Sequence, residues 1–170
     1  MAKVGLFYGS TTGNTAEGAE EIQKALGGSA VVETFDIADV EVADMLKYDY
    51  IIVGASTWNT GELQDDWDTK FDDLDDLDFS GKTVAYYGYG DQAGYADNFV
   101  DAIGKLEEKI SGCGAKTVGL WPTTGYEHED SLALRGDKFC GLPLDEDNQP
   151  DETADRLAAW TTQIKTEMSL

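Results

Sequence analysis

The chain has 170 residues, 41% of them hydrophobic, which is enough for one ordinary core and too little for two full domains. Twelve Lys and Arg face 34 Asp and Glu, and the resulting charge of −22 opposes binding to nucleic acid or anionic bilayers while favouring partners with a basic patch. Only Cys113 and Cys140 occur, with no CxxC pair and no Cys/His cluster, so neither a disulfide framework nor a zinc site is expected.

Short β-branched and aromatic runs alternate with segments of helical period. A first strand is predicted at Lys3–Tyr8, and Gly9-Ser10-Thr11-Thr12 follows at once. The apolar run is therefore far too short for a signal or membrane-spanning segment, and a cytoplasmic protein is expected. A helix at Thr15–Leu26, a strand at Ala30–Asp36, a short helix at Val42–Lys47 and a strand at Tyr50–Ala55 come next. The alternation continues with a helix at Asp65–Leu74, a strand at Thr83–Tyr89, a helix at Phe99–Ser111, a strand at Lys116–Trp121 and a closing helix at Pro150–Met168. Runs such as Tyr50–Ala55 are apolar throughout, as in a sheet covered on both faces. With strict alternation this predicts one α/β domain over residues 1–170, an open doubly wound sheet with right-handed parallel crossovers. Pro122–Pro143 is long for a connection, mixes Gly125, Gly136 and Gly141 with scattered aromatics, and reads as an ordered insertion near the fifth strand. Glu62–Asp78 holds nine acids and a single Lys70.

Three loops stand out. Gly9-Ser10-Thr11-Thr12-Gly13-Asn14-Thr15 lies between the first strand and the first helix, where backbone N–H groups are free, so hydroxyls and the helix dipole can hold an anion without a cation. Ser/Thr-rich turns at this position also serve as plain N-caps. The loop lacks the Gly-Lys-[Ser/Thr] ending of a nucleoside triphosphate site and the spacing of a dinucleotide site, which points to a phosphate monoester. Ser56-Thr57-Trp58-Asn59-Thr60-Gly61 follows the third strand, and Gly88–Asn98, with Tyr95 among small residues, follows the fourth. All three converge on the carboxyl edge of the sheet, where open α/β folds bind ligands. Two aromatic faces beside a phosphate seat suit a planar heterocycle.

Taken together, Gly5–Thr15, Thr57-Trp58-Asn59-Thr60-Gly61-Glu62-Leu63-Gln64, Gly90–Phe99 and Gly141–Gln149 resemble the flavodoxins, in particular the long-chain type, and the resemblance runs end to end. It implies a flavodoxin-like five-stranded parallel sheet of order 2-1-3-4-5, with the fifth strand split by the insertion at about 122–143, and non-covalently bound FMN. It further implies that Ser10, Thr11, Thr12, Gly13, Asn14 and Thr15 seat the phosphate, that Thr57 and Asp147 meet the ribityl chain, and that Trp58 and Tyr95 sandwich the ring. Backbone around Tyr89, Gly90, Asp91 and Asn98 would meet the pyrimidine edge, and the turn Asn59, Thr60, Gly61 would face the ring nitrogen that is protonated in the semiquinone. Thr60 stands where many relatives have an apolar residue and Tyr89 where a smaller one is common.

The function so implied is a low-potential one-electron carrier, shuttling mainly between semiquinone and hydroquinone, since a crowd of like charge disfavours the anionic reduced flavin. No enzymatic substrate of its own is expected. Its partners would be basic-patch redox proteins of the ferredoxin–NADP reductase type, with photosystem I or nitrogenase reductase as others, met by a monomer. An FMN-dependent quinone or azo reductase would need an open pocket above the ring, which two flanking aromatics oppose. A receiver domain lacks its acidic pair at Tyr8-Gly9-Ser10, and a low-molecular-weight phosphatase lacks Cys and Arg in the first loop.

Overall fold

The computed structural model describes residues 2–170. Strand β1 (Val4–Tyr8) is central, with β2 (Val32–Asp36) on one side and β3 (Tyr50–Trp58) on the other, both parallel to it. Next to β3 lies β5 (Thr83–Tyr89), again parallel. The far edge is shared by two short strands: β6 (Lys116–Val118) pairs with the first half of β5, and β10 (Leu142–Leu144) with its last three residues. The order is thus the expected 2-1-3-4-5 with a split fifth strand. Between the halves, β7 (Trp121–Pro122), β8 (Leu134–Arg135) and β9 (Lys138–Phe139) form a small antiparallel sheet. A short β4 (Glu62–Leu63) folds back antiparallel on the end of β3.

Alternation along the strands divides the core. Val4, Leu6, Ile52, Ala85 and Tyr87 point to the face covered by α1 (Asn14–Leu26) and α4 (Thr153–Glu167), against Ile22, Leu157 and Trp160. Phe7, Ile51, Val53, Val84 and Tyr86 point to the other face, against Trp67 of α2 (Asp65–Lys70) and Ile103, Leu106 and Ile110 of α3 (Asp101–Gly112).

Several elements depart from the periodicity. The predicted strand Lys116–Trp121 breaks after Val118 because Gly119 takes φ +78°, and its carbonyl accepts the Trp160 indole N–H at 2.9 Å. Asp65–Leu74 is α-helical only to Lys70 and then tightens to a 3₁₀ turn at Asp72–Asp76, where four acids in five residues are poor helix formers. Val42–Lys47 is the expected short helix, of the 3₁₀ kind. Pro150 opens a 3₁₀ turn, so α4 begins at Thr153. Helix α3 starts two residues later than predicted, after Val100 in the left-handed region at φ +49°.

At the middle of the sheet the Gly54 carbonyl accepts both the Gly9 N–H (3.1 Å) and the Trp67 indole N–H (2.9 Å), joining the first loop to α2 through one peptide. A Cβ at Gly54 would lie 2.3 Å from the Tyr87 ring. Gly54→Ala should therefore cost about 1–3 kcal/mol by overpacking. Urea unfolding should show a lower midpoint with an unaltered slope; an unchanged midpoint would mean that the ring moves aside freely.

Candidate functional site

Parallel register brings the carboxyl ends of the strands together: Tyr8 lies beside Gly54, and Ser56 and Leu144 flank Tyr89. Above this edge is a cavity of about 370 Å³ lined by Thr12 and Asn14, by Ser56 to Asn59, by Tyr89 to Asp91, and by Tyr95, Glu146 and Asp147. Its volume is in the range of small-molecule sites.

One wall is the N terminus of α1. Gly13 caps the helix with φ +98° and no side chain bonds the first-turn amides. Those N–H groups face the cavity edge with the positive end of the helix dipole. Ser10 is turned inward, its hydroxyl accepting the Gly13 N–H at 3.1 Å. The Thr15 hydroxyl is buried and bonded to the Ser56 hydroxyl at 2.7 Å, and the Thr11 hydroxyl accepts the Gln64 amide at 3.1 Å.

The opposite wall is a hairpin. Strand β3 runs on through Thr57 and Trp58, which pair with Leu63 and Glu62, so the expected long loop shrinks to Asn59-Thr60-Gly61. Asn59 (φ +48°) and Gly61 (φ +92°) both sit in the left-handed region, as short hairpin loops require. The Thr57 hydroxyl accepts the Ala102 N–H at the start of α3 (3.0 Å) while its residue borders the cavity. The Trp58 indole N–H is buried without any partner. A buried donor left unpaired costs about 1–3 kcal/mol, the mark of a missing acceptor.

The third wall is tied together by Asp145, which is fully buried. One of its oxygens accepts the Gln92 backbone and side-chain N–H groups (3.0 and 2.8 Å) and the Asn148 amide (2.9 Å); the other accepts the Asp147 and Asn148 backbone N–H groups (3.1 and 3.0 Å). The loop after β5 is thereby locked to the loop after β10. Tyr95 projects from it, 43% exposed, and borders the cavity. Asp91 accepts the Gly94 and Ala93 N–H groups and the Asn148 amide, and this holds its carboxyl below the usual range. Asp147 is pushed up, by desolvation first and then by the charges of Asp91, Asp145 and Glu146. Burial keeps the Tyr89 hydroxyl neutral, reinforced by Glu146 and Glu17.

Of the residues singled out from sequence, Thr12, Asn14, Thr57, Trp58, Asn59, Tyr89, Gly90, Asp91, Tyr95 and Asp147 border the cavity. Ser10, Thr11, Gly13 and Thr15 shape the loop behind it. Thr60 is exposed at the tip of the hairpin, Gly61 is buried beneath it, and the Asn98 side-chain amide donates to Asp101 at 3.1 Å. Ser56 and Glu146 border the cavity without having been assigned a role, although Ser56 opens the loop that follows the third strand and Glu146 lies in a segment that carries the resemblance. Asp145 was missed because an acid in an Asp-Glu-Asp run reads as solvated.

A flavodoxin family profile matches residues 6–160. Over 165 residues the chain is 59% identical to a flavodoxin of Picosynechococcus sp., covering 97% of each, and it is 54% identical to that of Synechococcus elongatus over the whole of both chains. The chain belongs to the flavodoxin family. A Fusobacterium nucleatum flavodoxin solved with flavin mononucleotide bound superposes with a TM-score of 0.92 at 32% identity, covering 98% of this chain and 99% of that one. Flavodoxins are FMN-based electron carriers that work with partner proteins and do not convert substrates of their own.

For this flavodoxin the two carboxylates of the third wall have opposite consequences. Asp91 binds its proton less readily when folded, so it contributes stability at neutral pH that is lost as pH falls through its folded value. Asp147 binds its proton more readily, so its charge costs stability at neutral pH and the cost disappears below about pH 4. At pH 7 Asp91→Asn should lower the thermal midpoint and Asp147→Asn should raise it, and the second effect should vanish at about pH 3. Shifts of the same sign at pH 7 would overturn these assignments.

Proposed function

We propose that this chain binds one FMN without covalent attachment in the cavity above the strand ends and passes single electrons between protein partners. Bound FMN supplies the redox centre, taking up and releasing electrons one at a time. The observation that carries the reading is the buried, unpartnered Trp58 N–H in a cavity shared with the uncapped α1 terminus and the exposed Tyr95 side chain. An orphan donor, free helix amides and a neutral hydroxyl-bearing loop fit a phosphate group, and two aromatic side chains fit a flat ring.

In this reading Thr12 and Asn14, with the α1 amides and the Trp58 N–H, hold the phosphate. Thr57 and Asp147 meet the ribityl chain, Trp58 and Tyr95 cover the ring faces, and Gly90, Asp91 and Asn59 offer backbone groups to its edges. Ser10, Gly13 and Thr15 set the loop's shape. Among the described residues no basic side chain borders the cavity, while Asp91, Glu146 and Asp147 do. The added electron therefore meets like charge, which makes the reduced form a strong reductant.

Eight of the nine acids of Glu62–Asp78 are exposed, beside the hairpin. This surface steers basic partners toward the cavity edge; a reductase of the ferredoxin–NADP type is the proposed donor or acceptor, with photosystem I or nitrogenase reductase as further ones. Among the described residues no helix is long and apolar enough to cross a membrane. The protein is read as a cytoplasmic monomer, folded as one domain.

FMN titrated into the flavin-free protein should bind one to one, quench tryptophan fluorescence and then be reduced in two separable one-electron steps. Failure to take up FMN, or steady NAD(P)H–quinone turnover by the protein alone, would overturn the carrier reading. Trp58→Phe should weaken FMN binding about 10- to 150-fold, the value of a hydrogen bond to a charged group, and riboflavin binding much less. Equal loss for both ligands would remove the indole from the phosphate. Electron transfer with a basic reductase should slow as salt rises from about 10 mM to 0.5 M; a flat dependence would exclude steering.

A further inference from the structure

The hairpin that carries Trp58 and Asn59 is held from behind by α3. The Lys105 ammonium reaches across to donate to the Gly61 carbonyl at 2.6 Å. One helical turn earlier, the Asp101 carboxylate is 2% exposed and accepts the Asn98 amide (3.1 Å) and the Leu132 N–H (2.8 Å). Gly61 rests directly on it, since a Cβ there would lie 2.6 Å from an Asp101 oxygen. At the other end of the hairpin the Ala102 N–H donates to the Thr57 hydroxyl. The first two turns of α3 therefore grip both ends of the segment from Thr57 to Gly61. Between the grips, Asn59 and Thr60 are exposed, and Asn59 borders the cavity in a left-handed conformation.

A hydrogen bond from a charged donor is among the stronger kinds and fixes where the Gly61 peptide points. Once that peptide is fixed, the choices left to the hairpin are confined to the two peptides between Asn59 and Gly61. Lysine at position 105 is otherwise unremarkable, a polar residue on a helix whose neighbours Leu106 and Ile103 are core. Nothing in periodicity separates it from a solvated surface residue.

We propose that Lys105 is a positioning residue for the electron-transfer site. Through the Gly61 carbonyl it determines which backbone groups of Asn59 and Thr60 face the cavity, and so how the hairpin meets the cofactor in each redox state. This rests on the reading that FMN occupies the cavity.

The test compares the parent with Lys105→Met, which keeps the apolar stem, and Lys105→Arg, which keeps the charged donor. In the flavin-free protein, amide hydrogen exchange at Thr60, Gly61 and Glu62 should be at least threefold faster in Lys105→Met than in the parent. In the FMN-loaded protein, the ratio of equilibrium constants for the two one-electron steps should change at least threefold in Lys105→Met. Lys105→Arg should restore both to within a factor of two. A lower thermal midpoint with exchange and both potentials unmoved would overturn the proposal and leave Lys105 a packing residue. Shifted potentials without faster exchange would overturn it as well, leaving only a charge effect. If the parent takes up no FMN, the cofactor reading falls and this inference with it, whereas normal uptake with unmoved potentials defeats Lys105 alone.

Discussion

The arrangement turns on one electrostatic constraint: an uncapped helix N terminus, with its amides unpaired, sits at the centre of a chain of charge −22. In most helices a Ser, Thr, Asp or Asn side chain satisfies these amides. Here Gly13 in a left-handed conformation gives the cap no side chain, and Ser10 turns back to bond the Gly13 amide instead of reaching forward into the helix. An anion placed there is stabilised by dipoles alone, so its charge is held without being neutralised. The surrounding loops then have to supply neutral donors and shape, the part that the proposed site gives to Thr12, Asn14 and the Trp58 indole.

Five of the twelve cations are turned onto backbone carbonyls. Lys70 donates to the Ile37 and Val40 carbonyls, Lys82 to that of Leu46, Lys105 to that of Gly61, and Arg156 to that of Gly125. Arg135 pairs with the mostly buried Glu107 at 2.6 Å and also bonds carbonyls of the insertion and of α3. These side chains act as clamps on backbone carbonyls between distant segments, which uses positive charge inside the fold and leaves the face beside the cavity acidic. A cation on that face would shorten the reach of the field that guides basic partners and would ease full reduction of a bound flavin.

Sequence alone carried most of the fold, for a physical reason. Apolar strands such as Tyr50–Ala55 and the amphipathic α1 have periods that few other structures share, and their order forces the crossovers. What escaped were events decided by tertiary contacts. The break at Gly119 depends on Trp160, 41 residues away, whose indole takes the freed carbonyl. The run of β3 past Ala55 depends on β4 folding back to pair with it. In the site, the loops were legible because clusters of Gly, Ser and Thr mark the turns after strands and a Trp is out of place in such a turn. Their supports were not: Asp145 lies in an acidic run and Asp101 and Lys105 on an ordinary helix, and only the folded chain shows that the two acids are buried.

Those supports are unequal, and the inequality bears on how a carrier of this kind works. Five hydrogen bonds converge on one buried carboxylate, two from Gln92 in the loop bearing Tyr95 and three from Asp147 and Asn148 in the loop after β10, so a movement there would strand several donors at once. The Asn59–Gly61 hairpin is gripped at its ends, while two of its three residues are exposed. A peptide in such a tip can rotate at small cost because water takes whatever hydrogen bonds it gives up. The cavity thus has a rigid wall that fixes position and a pliant wall that can answer a change of charge or protonation. In the proposed carrier, which releases no product, this local response acts together with the surrounding negative charge on the energies of the redox states, and the hairpin is the wall free to respond.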